Sequence, residues 1–112
     1  MSLPSVGRLL RIFIGEDDKH EGKPLYEWIV RKAREQGLAG ATVLRGMEGF
    51  GAHSRIHTAK ILRLSSDLPI VIEIVDTDEK IEAFLPLIDD AISEGLATVE
   101  KVEIRLYRSG GQ

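Results

Sequence analysis

The segment PIVIEIV (Pro69–Val75) has the two-residue period of a β-strand and is apolar on both of its faces. Ile70, Ile72 and Ile74 fall on one side, and Val71 and Val75 on the other. A strand of this kind belongs inside a sheet whose two faces both need cover. RLLRIFIG (Arg8–Gly15) reads as its companion, with Leu10, Ile12 and Ile14 on one face and Leu9 and Phe13 flanking Arg11 on the other.

Helical periodicity separates these strands. After the polar loop EDDKHEGKP, Pro24 suits a first helical turn, and Leu25, Trp28, Ile29 and Ala33 follow as an apolar stripe with Trp28 in the core. Gly37 stops that helix as a C′ residue. A second strand is expected from Ala41 to about Glu48, weakened by Gly46, and Ile56–Ser65 reads as a strand folding back after it. Asp76 and Glu79 have capping-box spacing. Ile81, Phe84, Leu85, Ile88 and Ile92 then predict a second helix, kinked at Pro86 and ending at Gly95. Thr98–Tyr107 reads as the last strand.

The order β-α-β-β-α-β predicts an α+β, ferredoxin-like sandwich: an antiparallel sheet with two helices on one face. In that topology the loops Glu16–Lys23, Gly46–His57 and Glu94–Thr98 converge at one sheet edge, where the first helix also presents its N-terminus. The helices leave the other face bare. Leu9, Phe13, Val43, Met47, Val71 and Val75 are assigned to it, and an exposed apolar face of that size predicts a homo-oligomer in which sheets meet.

A chain of 112 residues with 43% hydrophobic and 29% charged residues can bury one core. Residues 8–108 are expected as a single domain between disordered tails, 1–7 and 109–112. The net charge of −3 argues against a nucleic-acid binder. With no cysteine there is no disulfide scaffold, thiolate metal site or Cys nucleophile. No apolar run approaches the length of a membrane span, and Met1–Gly7 lacks signal architecture, so the chain reads as cytoplasmic without membrane insertion.

RGMEGFGAHSRIHTAK (Arg45–Lys60) carries the densest functional signal. Gly46, Gly49 and Gly51 follow the pattern G-x-x-G-x-G, which is not the dinucleotide fingerprint. One reading is a mobile hairpin loop, with Gly49–His57 among the most mobile parts of the chain. The other is a backbone cradle for a phosphorylated or otherwise anionic ligand, with Arg45, His53 and Arg55 beside it. Phe50, between two glycines, is a candidate for ligand stacking. His53 and His57, or the run Glu16–Glu21, offer an alternative as a metal site or small enzyme. No H-E-x-x-H, G-x-S-x-G or S-x-x-K supports catalysis, so the chain reads as a non-enzyme. A third alternative is a ligand-free oligomerisation module.

GATVLRGMEGFGAHSRIHTAKI followed by DLPIVIEIVDTDEKIEAFLPLI resembles the nitrogen-regulatory PII signalling proteins. RIFIGEDDKHEGKPLYEWIV with GLAGATVLRGMEGFG is similar, more closely and from about Leu9 to Tyr107, to the small PII-like family called domain of unknown function 190. The resemblance implies a ferredoxin-like trimer that binds adenine nucleotides in clefts between subunits. It also implies signalling to a protein partner through a flexible loop after the second strand. Glu48–Gly51 (EGFG) matches the segment that opens that loop and lines the cleft with backbone. Arg105 and Arg108 match the late arginines, on the last strand, that reach a neighbouring subunit's ligand.

Two departures bear on the ligand. No tyrosine lies between Gly51 and Pro69, so modification by uridylylation is not expected. Of the family's glycine- and lysine-rich phosphate loop, SEGLATVEKV keeps only Gly95 and Lys101, which makes ADP, AMP or another small ligand as good a fit as ATP.

Overall fold

The computed structural model describes residues 3–50, 57–58 and 67–108. Strand β1 (Val6–Gly15) starts ahead of the expected Arg8. The Ser5 carbonyl already accepts the Ile104 N–H at 2.6 Å, which ties this end of the chain to the sheet. The polar loop that follows contains a small hairpin, β2 (Lys19–His20) with β3 (Lys23–Pro24). Its turn residues Glu21 and Gly22 have φ of 54° and 78°, the two positive values that a type I′ turn requires.

Helix α1 (Leu25–Glu35) buries Leu25, Ile29 and Ala33 as the stripe predicts, while Trp28 stays half-buried on its flank. Gly37 terminates it at φ 75°. The Gly37 N–H donates to the Arg34 carbonyl and the Leu38 N–H to the Ala33 carbonyl, both at 3.1 Å, the paired bonds of a Schellman stop. Strand β4 (Thr42–Arg45) is shorter than the expected Ala41–Glu48 because Gly46 turns the chain. β5 (Glu48–Gly49) pairs instead with β6 (His57–Thr58) in a separate two-stranded ladder. The rest of the strand expected at Ile56–Ser65 lies outside the described residues.

β7 (Pro69–Asp76) is followed by α2 (Asp78–Asp89). Thr77, not Asp76, caps α2: its side chain accepts from the Lys80 N–H at 3.1 Å. Asp76 is occupied elsewhere, accepting from the Thr77 N–H at 2.6 Å and the Ala39 N–H at 2.8 Å. With Lys80 at the third helical position there is no capping box. Pro86 lies inside α2, and Ile92 lies beyond its end. β8 (Leu96–Glu103) starts earlier than expected and stops before Ile104, so Arg105 and Arg108 are not on the strand.

The sheet order is β4-β7-β1-β8 and every neighbouring pair is antiparallel, the ferredoxin-like arrangement. Leu10, Ile12 and Ile14 of β1 and Ile70, Ile72 and Ile74 of β7 face the helices. There they meet Ile29 of α1 and Ile81, Phe84 and Ile88 of α2 in one core. Paired residues of neighbouring strands share a face. Leu44 pairs with Val71 and so stands on the open face, whereas Val43 pairs with Ile72 on the helix side. Val43 was therefore placed on the wrong face by its parity, and Met47 lies past the end of β4. The open face carries Leu9, Phe13, Leu44, Val71, Val75 and Leu96. Across its middle Arg11 donates to Glu73 at 2.9 Å and to Glu100 at 3.1 Å.

Candidate functional site

Strand register brings the glycine segment to a defined place. Gly15 pairs with Pro69, Arg45 with Ile70 and Phe13 with Leu96, so the ends of β1 and β4 and the starts of β7 and β8 lie together. The described parts of the three loops expected at one sheet edge meet there, while residues 51–56 of the second loop lie outside the described residues.

The bare backbone of Gly46 and Gly49 has a partner within the chain. A Cβ on Gly46 would stand 2.9 Å from Pro69 Cγ, and one on Gly49 would stand 3.2 Å from it. The Gly46 N–H also donates to the Pro69 carbonyl at 2.7 Å. Both glycines thus wrap the proline that opens β7. Beyond them Met47 is 73% exposed and Phe50 68% exposed, two large apolar side chains turned to solvent at the rim.

Among the described residues the charged groups here are mostly carboxylates. Arg45 Nη2 is 2.9 Å from Glu16 Oε2, the arginine largely exposed and the glutamate largely covered. Asp18 Oδ2 accepts the Gly15 N–H at 3.0 Å, and Asp67 Oδ1 accepts the Asp17 N–H at 3.0 Å. Burial pushes the Asp18 carboxyl above its usual range. The Gly15 N–H bond works against that shift, while the nearby charges of Asp67, Glu94 and Asp17 add to it. At the mouth of α1 the Leu25 N–H is taken by the Asp18 carbonyl at 2.8 Å and Pro24 has no N–H to give. Alongside, the His20 ring meets Trp28 edge-on at 4.5 Å, and Lys32 Nζ lies 5.3 Å over the indole.

Arg45, Gly46, Glu48, Gly49 and Phe50 are therefore neighbours at one end of the sheet. Gly51 and His53 lie outside the described residues, as do Arg55 and the side chain of His57. Arg105 and Arg108 are at the other end. Glu103 pairs with Val6, and Tyr107 Oη donates to the Ala39 carbonyl at 3.0 Å. The ten residues of β1 separate the two groups, roughly 30 Å at the usual strand rise. Lys101, opposite Arg8, also stands away from the glycine end. Gly95 is placed there, and its reason is packing: a Cβ would come within 2.7 Å of the Phe13 carbonyl oxygen.

The run Glu16–Glu21 is dispersed, Glu16 onto Arg45, Asp18 onto Gly15 and His20 onto Trp28. Among the described residues, no three His, Asp or Glu side chains are grouped to hold a metal ion. Residue-by-residue reading missed Glu16 as the partner of Arg45, and Pro69 as the surface under the glycines. Both relationships join residues far apart in the chain, and no local pattern announces them.

The DUF190 family model, described as "Uncharacterized ACR", matches residues 7–104. The chain belongs to the DUF190 family. A UPF0166 protein of Aquifex aeolicus is 46% identical over 97 residues, covering 87% of this chain and 91% of that one. A UPF0166 protein of Methanocaldococcus jannaschii is 38% identical over 85 residues, covering 76% and 78%. Among solved structures, CPII is similar with a TM-score of 0.65 at 19% identity over 88% of each chain. It is a nitrogen regulatory PII-like protein from Thiomonas intermedia, bound there to ADP, AMP and bicarbonate. The apo form of CPII is similar with a TM-score of 0.60 at 15% identity, over 88% of this chain and 91% of that one. This DUF190 chain thus has the PII-like, ferredoxin-like fold. Among its described residues no helix is long and apolar enough to cross a membrane.

Proposed function

We propose that this DUF190 chain is a PII-like regulator. It binds an adenine nucleotide in clefts between the subunits of a trimer and displays the ligand state to a protein partner through the segment between Phe50 and Asp67. The output is a changed surface and not a turnover.

The observation that carries this reading is the separation of the arginines. Arg45 sits at the glycine end of the sheet, while Arg105, 81% exposed, lies past the far end of β8. A cleft that uses both takes them from two copies. At the glycine end Glu16 already occupies Arg45, so a further cation from a neighbouring copy is what a nucleotide gains there. The open apolar face supplies a surface on which copies associate. The ADP and AMP bound by CPII, on the same fold, support the ligand class.

In the cleft, backbone N–H groups near Gly49 and Gly51 and the guanidinium of Arg105 from the next subunit hold phosphates, and Phe50 offers a ring for stacking. The test is calorimetric titration with ATP, ADP and AMP, alongside Arg105→Ala. Loss of one charge-assisted hydrogen bond costs about 1.5–3 kcal/mol, roughly ten- to a hundredfold in affinity. Wild-type protein that binds none of the three below millimolar concentration refutes the nucleotide reading. Equal binding by Arg105→Ala refutes the placement of that arginine.

A further inference from the structure

We propose that Glu16 is a built-in competitor for the anion site, a carboxylate that occupies Arg45 until a more highly charged anion displaces it. The inference rests on the nucleotide reading above and names what sets the charge threshold of that site.

Glu16 follows the last residue of β1, and Arg45 is the last residue of β4. Both strands end beside the start of β7, so the pair bridges the two strand ends that frame the candidate cleft. The two partners differ in freedom. Glu16 has a side-chain exposure of 21%, and its own N–H donates to the Leu68 carbonyl at 2.8 Å, which anchors it to the segment leading into β7. Arg45 is 61% exposed and its guanidinium, on a long flexible stem, is the member able to swing. A carboxylate oxygen at 2.9 Å from Nη2 occupies the position that a phosphate oxygen would take.

An incoming anion therefore competes with Glu16 for one guanidinium. A monoanionic carboxylate offers Arg45 nothing that Glu16 does not already give. A phosphate with two or more charges does, and a diphosphate does so more strongly. Glu16 thus selects for phosphorylated ligands over small carboxylic acids. It has the residual effect of setting affinity below what Arg45 alone would permit.

The experiment is a double-mutant cycle read by calorimetric titration with ADP, using wild type, Glu16→Gln, Arg45→Gln and the double variant. Glu16→Gln is nearly isosteric and keeps an acceptor for Arg45 while removing the charge. It is expected to bind ADP about two- to fivefold more tightly, the range that an exposed ion pair represents. In the Arg45→Gln background the same substitution is expected to change nothing, because the competitor has lost the group it competes for. Glu16→Gln is also expected to acquire measurable acetate binding that wild type lacks. Unchanged or weaker ADP binding by Glu16→Gln overturns the proposal. So does an equal gain with and without Arg45, which assigns the effect to general charge repulsion. If no variant binds ADP, the nucleotide reading falls and this inference falls with it. Binding by wild type with an additive cycle removes this inference alone.

Discussion

Tyr107 Oη donates to the Ala39 carbonyl at 3.0 Å, across 68 residues of chain, and the Ala39 N–H donates in turn to buried Asp76 at 2.8 Å. One residue of the α1–β4 connection is thereby held from both sides, by the tail that follows β8 and by the end of β7. The contact places Arg105 and Arg108 at the end of the sheet away from Arg45. It is the reason a site that uses both ends calls for a second copy.

The two tethers differ in expected strength. Asp76→Ala removes a buried carboxylate and orphans the part-buried Ala39 and Thr77 N–H groups, and is expected to cost roughly 2–4 kcal/mol. Tyr107→Phe removes one bond at a partly exposed site and is expected to cost about 0.5–1 kcal/mol. Urea unfolding measures both. Equal costs would show that the tail, and not the carboxylate, governs this end of the sheet.

Gly46 is predicted to be intolerant of a side chain in a protein with no ligand added. Its Cβ position is 2.9 Å from the ring of Pro69, and the Gly46–Pro69 hydrogen bond leaves little room for retreat. Gly46→Ala is expected to destabilise by about 1–3 kcal/mol. At Gly40 nothing lies within 4 Å of the added carbon, so Gly40→Ala is expected to stay within about 0.5 kcal/mol of wild type. Thermal unfolding of the two variants separates packing from ligand chemistry. A stable Gly46→Ala variant would return the bare backbone to the ligand.

Periodicity carried most of the architecture because it is a local signal. PIVIEIV, the stripe Leu25–Ile29–Ala33 and Gly37 each report an environment within one or two turns of chain, and each is found where its pattern says. Boundaries were less legible. Asp76 and Thr77 are both good caps by residue type, and the choice is made by Ala39, which the local pattern does not include. β8 ends at Glu103 although TVEKVEIRLY alternates on to Tyr107. The face of Val43 was misread because Val43 and Leu44 are both apolar, and only their pairing with Ile72 and Val71 decides which side each takes. At the site, the glycine segment and Arg45 were visible as residue types. Their partners Pro69 and Glu16 were not, since strand register alone brings them together.

Asp18 gives the protein a pH dependence of definite sign. Burial raises its folded-state pKa above the ordinary 3.8, so the folded state binds the proton more tightly than the unfolded chain. The stability this group contributes is present in full below the unfolded pKa and is lost as pH rises through the folded one. Asp18→Asn keeps an oxygen for the Gly15 N–H and removes the charge. It is expected to melt at a higher temperature than wild type at pH 7, with the difference closing below about pH 3.8. A variant less stable at neutral pH would mean that an attractive partner of the carboxylate outweighs its burial.

The open sheet face yields the prediction on assembly. Leu44, 48% exposed, stands beside Val71, and Phe13 and Leu96 continue the apolar surface toward the far edge. The Glu73–Arg11–Glu100 ladder crosses its middle with both carboxylates on one guanidinium, so the face is charged in the centre and apolar around it. Wild type is expected to scatter light as a trimer at micromolar concentration. Leu44→Asp places a charge where nothing in the single chain is buried, so the monomer fold is expected to survive with unfolding cooperativity intact. The measured mass is expected to fall to that of one chain, because a carboxylate on a covered apolar face is left without water or partner. A trimer that persists in Leu44→Asp would place the contact between copies elsewhere, on the helix side or along the edge of β8.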